Sequence, residues 1–296
     1  MKKRLALVLA VVMLLYVGLS FVGGAVAMRI PRLPLVGSSA SVGLVSQDVS
    51  FPARADGTIL KGWYLPAMGQ SAIIVVHGGF QNRVDEVVNT LGLARDLVLR
   101  GYDVLLFDIR GRGESAGRGR ALTNNEADIG GAVDYVKGRG FDSGSIGIIG
   151  FCSGAASSAI FASEETVGGL VLDGCFPTVE GMVVRQATVA GIPRFLVDAF
   201  IPGLTVTTRM MYGFVPTEPV AVVGEITPPI LFIHEQNDAL VSGEETARLL
   251  AATHNPANER WEVSGVEHSQ AYRKYPAQYA ERLDLFFSRA LSKRQP

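Results

Sequence analysis

The sequence predicts an α/β fold: a mostly parallel central sheet with helices on both faces. Three observations carry this expectation. Beyond residue 70, short continuous apolar runs alternate with amphipathic stretches, the pattern of strands buried on both faces by crossover helices. One such run ends at Gly150-Phe151-Cys152-Ser153-Gly154 and passes straight into a stretch of small residues, a sharp strand-to-helix turn. Before residue 70, two strand-like runs are joined by Asp56-Gly57, a hairpin signal because glycine tolerates positive φ.

From the N-terminus, Met1-Lys2-Lys3-Arg4 precedes a run from Leu5 to Met28 that carries no charge. As a helix this run would reach about 36 Å at ~1.5 Å per residue, enough to cross a bilayer. We therefore expect residues 1–28 to form a single-pass membrane anchor, with the basic end cytoplasmic and the remainder extracytoplasmic. Ala25-Val26-Ala27 also has the form of a cleavage site, so a signal peptide and a secreted product remain open. Residues 29–46, with Pro31, Pro34 and Gly37, read as a linker to a domain spanning 47–296.

Within the domain, strands are expected at 49–53, 59–65, 72–76, 104–107, 145–149, 169–172, 230–233 and 261–263. Helices fit at 85–100, 125–137, 153–163, 243–254 and 272–291. Residues 176–226 break the alternation, with about 50 residues where a connection of ~2 to 6 usually suffices. This insertion after the sixth strand is expected to fold as short helices, a small cap over the carboxyl edge where open α/β sheets bind ligands.

Lys and Arg number 27 against 28 Asp and Glu, and no basic stripe appears, so nucleic acid is not expected as a partner. The two cysteines, Cys152 and Cys175, are too few for a disulfide framework. His77, His234, His254 and His268 lack metal-ligand spacing, so neither metal nor cofactor is expected.

The chemistry concentrates at Cys152. Gly150 and Gly154, two positions either side, give the turn the form of a nucleophile elbow centred on Cys152. Ser153 is out of register, since Phe151 and Ala155 would flank it. A helix N-terminus favours a thiolate at such a position. Cys175, just after the sixth strand, is expected to pack beneath the cap, with a disulfide to Cys152 as the alternative.

Here the sequence resembles the α/β-hydrolase superfamily over about residues 47 to 290, as a short-cap bacterial esterase- or peptidase-like member. Val76-His77-Gly78-Gly79-Phe80 is similar to the family's HG turn, which implies oxyanion-hole N–H groups from Gly79, or from Phe80, and from Ser153. Asp108-Ile109-Arg110-Gly111-Arg112-Gly113-Glu114-Ser115 resembles its DxRGxGxS loop, read as structural. His234-Glu235-Gln236-Asn237-Asp238 resembles the segment bearing the triad acid, which implies that role for Asp238, with Glu235 in place of the usual glycine. His268 matches the family's catalytic histidine. The GxCxG elbow itself resembles that of dienelactone hydrolases.

The resemblance implies a Cys152-His268-Asp238 triad that cleaves carboxylic esters, lactones or thioesters of a small-molecule acyl substrate through an acyl-cysteine. Two alternatives stay open: transfer of the same acyl group to another acceptor, and an inactive exported binding protein on a hydrolase fold.

Overall fold

The computed structural model describes residues 1–292. After the N-terminal helix α1 (Lys2–Met28), the elements are β1 (Gln47–Pro52), β2 (Ile59–Leu65), β3 (Ser71–Val76), α2 (Thr90–Leu99), β4 (Tyr102–Phe107), α3 (Asn125–Gly138), β5 (Ile146–Phe151), α4 (Ser153–Glu164) and β6 (Gly169–Asp173). The inserted cap holds α5 (Val179–Val189), α6 (Arg194–Tyr212) and α7 (Pro219–Val222). The chain closes with β7 (Ile230–Glu235), α8 (Gly243–Ala251), β8 (Glu259–Val263), α9 (Ala271–Lys274) and α10 (Pro276–Ala290).

All eight strands join one sheet, ordered β1-β2-β4-β3-β5-β6-β7-β8. The β1–β2 hairpin and the β2–β4 pair are antiparallel, and every later pair is parallel. β3 through β7 are buried almost throughout, as helices on both faces require. One core lies against α3 and α4, around Ile129, Ala155 and Phe232; the other lies against α2 and α10, around Leu93, Val171 and Phe287. The register pairs Val76 with Gly150 and Phe151 with Asp173, so the carboxyl ends of β3, β5 and β6 finish side by side.

Three boundaries depart from the sequence expectation. The helix expected from residue 85 begins at Thr90, because the Asp85 carboxylate accepts the N–H groups of Val87 (2.9 Å) and Val88 (3.3 Å) and holds this stretch as a turn. The helix expected over 272–291 divides into α9 and α10 at Pro276, which cannot continue a preceding turn. The cap is not built only of short helices: α6 has 19 residues, with Pro202 inside it.

α1 is long and apolar enough to cross a membrane, and its first half is exposed; Ser20, Gly24 and Met28 are buried. The segment after it is fastened to the domain. The Ile30 N–H donates to the Gly119 carbonyl at 3.1 Å, and Arg32 Nη1 donates to the carbonyls of Gly113 and Ser115 at 2.7 Å each.

The Asp108–Ser115 loop is structural, as expected. Arg83 Nη1 lies 2.6 Å from Asp108 Oδ2, with the two side chains 2% and 0% exposed, and the Arg83 guanidinium lies over the Trp63 ring at 4.2 Å. Without Asp108 the buried Arg83 keeps only the exposed Glu114 as an ion partner, and the backbone N–H groups of Arg83 and Glu114 lose their acceptor. Asp108→Ala should lower the unfolding free energy by about 3–5 kcal/mol in urea titration, and a loss below ~1 kcal/mol would contradict this packing.

Candidate active site

β5 passes into α4 through a single residue, Cys152, whose backbone sits at φ 52° and ψ −116°. An L-residue holds this conformation only where its surroundings enforce it. Two glycines make the room. A Cβ on Gly150 would stand 2.6 Å from Ala155 Cα, and one on Gly154 would stand 2.4 Å from the His77 carbonyl oxygen. The Cys152 N–H donates to the Asp173 carbonyl at 2.9 Å, and the Cys152 carbonyl accepts the Ala156 N–H at 3.1 Å. The half-buried Cys152 side chain lines a cavity of about 760 Å³.

Asp238 occupies the turn after β7. Its Oδ1 accepts the N–H groups of Leu240 (2.7 Å) and Val241 (2.9 Å), which leaves Oδ2 to face His268 Nδ1 at 2.7 Å. The Asp238 side chain is fully enclosed. His268 comes from the loop between β8 and α9, and its Nε2 finds no protein hydrogen-bond partner among the described residues. Burial opposes a charged ring here, but the Cys152 sulfur and the Asp238 carboxylate outweigh it and hold His268 well above the ordinary histidine value. Gly174, at φ 61°, lies against the imidazole, and a Cβ there would stand 2.7 Å from His268 Cε1.

Gly79 and Ser153 meet beside Cys152: a Cβ on Gly79 would be 2.8 Å from Ser153 Oγ. As the first residue of α4, Ser153 has an N–H with no acceptor inside the helix. Arg112 Nε donates to the Gly79 carbonyl at 2.9 Å and braces this turn. His77 shapes it from below. Burial lowers its pKa to about 4, so the ring is neutral; Nε2 accepts the Ile109 N–H at 3.1 Å, and Nδ1 faces the Gly78 carbonyl at 2.8 Å.

The structure thus brings Cys152, His268, Asp238, Gly79 and Ser153 together at one sheet edge. Phe80 also borders the cavity. Cys175 is buried beside Phe176, is not bonded to Cys152, and is kept a neutral thiol by burial. Among the described residues no cluster of metal-ligating side chains occurs.

With this geometry in view, the comparisons with known proteins are specific. Residues 71–217 match the model of the alpha/beta hydrolase fold family. The uncharacterized protein YqkD of Bacillus subtilis is 26% identical over 242 residues, covering 78% of this chain and 76% of that protein. The uncharacterized protein YfhR of Salmonella typhi is 26% identical over 270 residues, 83% of each. Among solved structures, the esterase Pf2001 of Pyrococcus furiosus superposes with a TM-score of 0.74 at 22% identity, over 89% of this chain and 100% of that one. The chain has the α/β-hydrolase fold. It is an enzyme of that fold, with its candidate site where β3, β5 and β6 end side by side.

Sequence reasoning missed the layer behind His268. Asp173 and Glu235, both buried at strand ends, leave Asp173 Oδ1 and both Glu235 carboxyl oxygens without an N–H or O–H donor, while Tyr279 donates its hydroxyl to Asp173 Oδ2 at 2.7 Å. Two such carboxyls coexist by sharing a proton. Burial and the neighbouring Asp173 charge raise the Glu235 pKa well above the usual carboxylate range. The only signal in the sequence was Glu235 standing where the family's pattern has glycine. Because the folded chain keeps this proton above the range where an unfolded glutamate releases it, the stability it contributes is full at low pH and falls as pH rises. Glu235→Gln removes that fall. In thermal unfolding the variant should gain on the native chain as pH rises above the ordinary carboxylate range; an unchanging difference would contradict the shared proton.

Proposed function

We propose that this protein is a membrane-anchored carboxylic ester hydrolase, its domain outside the cytoplasm, that works through an acyl-cysteine at Cys152. The observation that carries this reading is the 2.7 Å contact between His268 Nδ1 and Asp238 Oδ2, with the ring's free Nε2 on the Cys152 side and the sulfur held on a strained elbow in the cavity wall. The esterase named among the similar structures supports the choice of an ester.

In the first half of the reaction His268 Nε2 takes the Sγ proton and the sulfur attacks the carbonyl carbon, forming the C–S bond. The N–H groups of Gly79 and Ser153 receive the charge on the carbonyl oxygen, at a typical worth of ~3–4 kcal/mol for one such donor. The C–O bond to the alcohol then breaks, and the departing oxygen takes the proton from His268. In the second half a water gives a proton to His268 and adds to the thioester. Collapse releases the acid, and the sulfur recovers its proton. Asp238 keeps Nδ1 protonated and the ring turned toward Cys152.

With the full-length chain in detergent and p-nitrophenyl butyrate as substrate, Cys152→Ala and His268→Ala should each lower turnover by at least about 10³-fold. Both should stay folded, with His268→Ala losing some stability because it leaves Asp238 without its partner, and mass spectrometry should find the butyryl group on Cys152 of the native chain. Gly174→Ala, which pushes the ring from its seat, should lower kcat by about 10-fold or more. Full turnover in Cys152→Ala would overturn the reading. Product analysis with an added alcohol separates hydrolysis from transfer.

A further inference from the structure

The cap helix α6 runs alongside the second half of α1 in the same direction: Tyr16 stacks on Phe200 at 5.1 Å, Ser20 meets Gly203 and Thr207, and Gly24 meets Thr207 and Thr208. Beyond the Tyr16–Phe200 stack, small residues let the helices approach, and the polar groups of the contact are satisfied internally, as helix pairs in lipid require. Where Pro202 interrupts α6, the Tyr16 hydroxyl accepts the Gly203 N–H and donates to the Ala199 carbonyl, both at 3.1 Å, bridging a backbone pair the helix leaves open. Thr207 Oγ1 donates to the Ser20 carbonyl at 3.0 Å. Cleavage after Ala27 would strip all of this away.

The part of α1 free of α6, from Leu5 to Leu15, reaches only about 16 Å, roughly half of a ~30 Å hydrocarbon core. If α1 spans a bilayer, the stretch from Tyr16 onward must supply the rest of the depth, and α6 lies against that stretch. The outward side of α6 suits lipid. Phe195, Ala199, Pro202, Val206 and Met210 form one exposed stripe, with Phe195 and Met210 each 70% exposed; of the helix's charges, Arg194 and Asp198 pair with each other at 2.9 Å, and the exposed Arg209 lies in the last turn, at the domain end. Both helices also line the Cys152 cavity, α1 through Val26, Ala27 and Met28 and α6 through Ile201, Leu204 and Thr208.

We infer that α6 is embedded in the bilayer beside the second half of α1, and that the substrate is an acyl ester resident in the lipid phase which enters the cavity between α1 and α6. The substrate rests on the acyl-cysteine reading; the seat of α6 does not.

The test uses the full-length chain in vesicles of phosphatidylethanolamine and phosphatidylglycerol. Tryptophan placed by Phe195→Trp or Val206→Trp should be quenched by brominated lipid, above the background of Trp63 and Trp261. Quenching by aqueous acrylamide instead would overturn the seat of α6. The double variant Val206→Glu with Met210→Glu should lower turnover of a vesicle-borne palmitoyl ester by about ten-fold or more while leaving detergent-phase hydrolysis of the butyrate ester unchanged. Equal effects on both esters, or none, would overturn entry from lipid. If the tryptophans are quenched but neither ester is cleaved by the native chain, the chemistry fails, and the substrate with it, while the seat of α6 stands.

Discussion

The backbone at Cys152 turns through a conformation that an L-residue does not choose, and the architecture around it exists to hold that turn. The strand before it is fixed by pairing with β3 and β6, the helix after it begins one residue later, and the Asp173 carbonyl binds its N–H. A cysteine held this way cannot fold its side chain back into the core. Gly150 and Gly154 are the condition for that geometry, because a methyl group at either would collide with backbone atoms. The strain is carried by the parallel sheet and concentrated where the sulfur must be presented.

Around this fixed point the remaining groups arrive from loops whose shapes are also enforced. Asp238 spends one oxygen on two backbone N–H groups, so its other oxygen has a single direction left, toward His268. Gly174 lets the ring lie against the end of β6. Behind it, the Asp173–Glu235–Tyr279 cluster gives the site a polar floor in which burial raises both carboxyl pKa values, so that only limited negative charge is buried under the imidazole. The ring's proton affinity is then governed by the sulfur and Asp238.

Most of the fold was legible because its signals are local. Continuous apolar runs marked β3 through β7, and Asp56-Gly57 marked the hairpin that starts the sheet. The elbow was legible through two glycines at fixed offsets, and Asp238 and His268 through their positions after the last two strands. What stayed hidden depends on partners distant in sequence. Asp173 lay one residue past the strand expected at 169–172, and the Tyr279 hydroxyl that binds it comes from 106 residues later. α6 looked like short helices because Pro202 reads as a break, and the hydroxyl that repairs the break comes from Tyr16, 187 residues before Gly203. Nothing in the run from Leu5 to Met28 announced that its last three residues also line the cavity beside Cys152.

The coupling of sulfur, imidazole and carboxylate is most directly tested by NMR titration of the His268 ring in the native chain and in Cys152→Ala. The account predicts a native midpoint well above the ~6.5 of an ordinary histidine, falling when the sulfur is removed while the Asp238 contact stays intact. A ring that titrates at the same ordinary value in both proteins would contradict it.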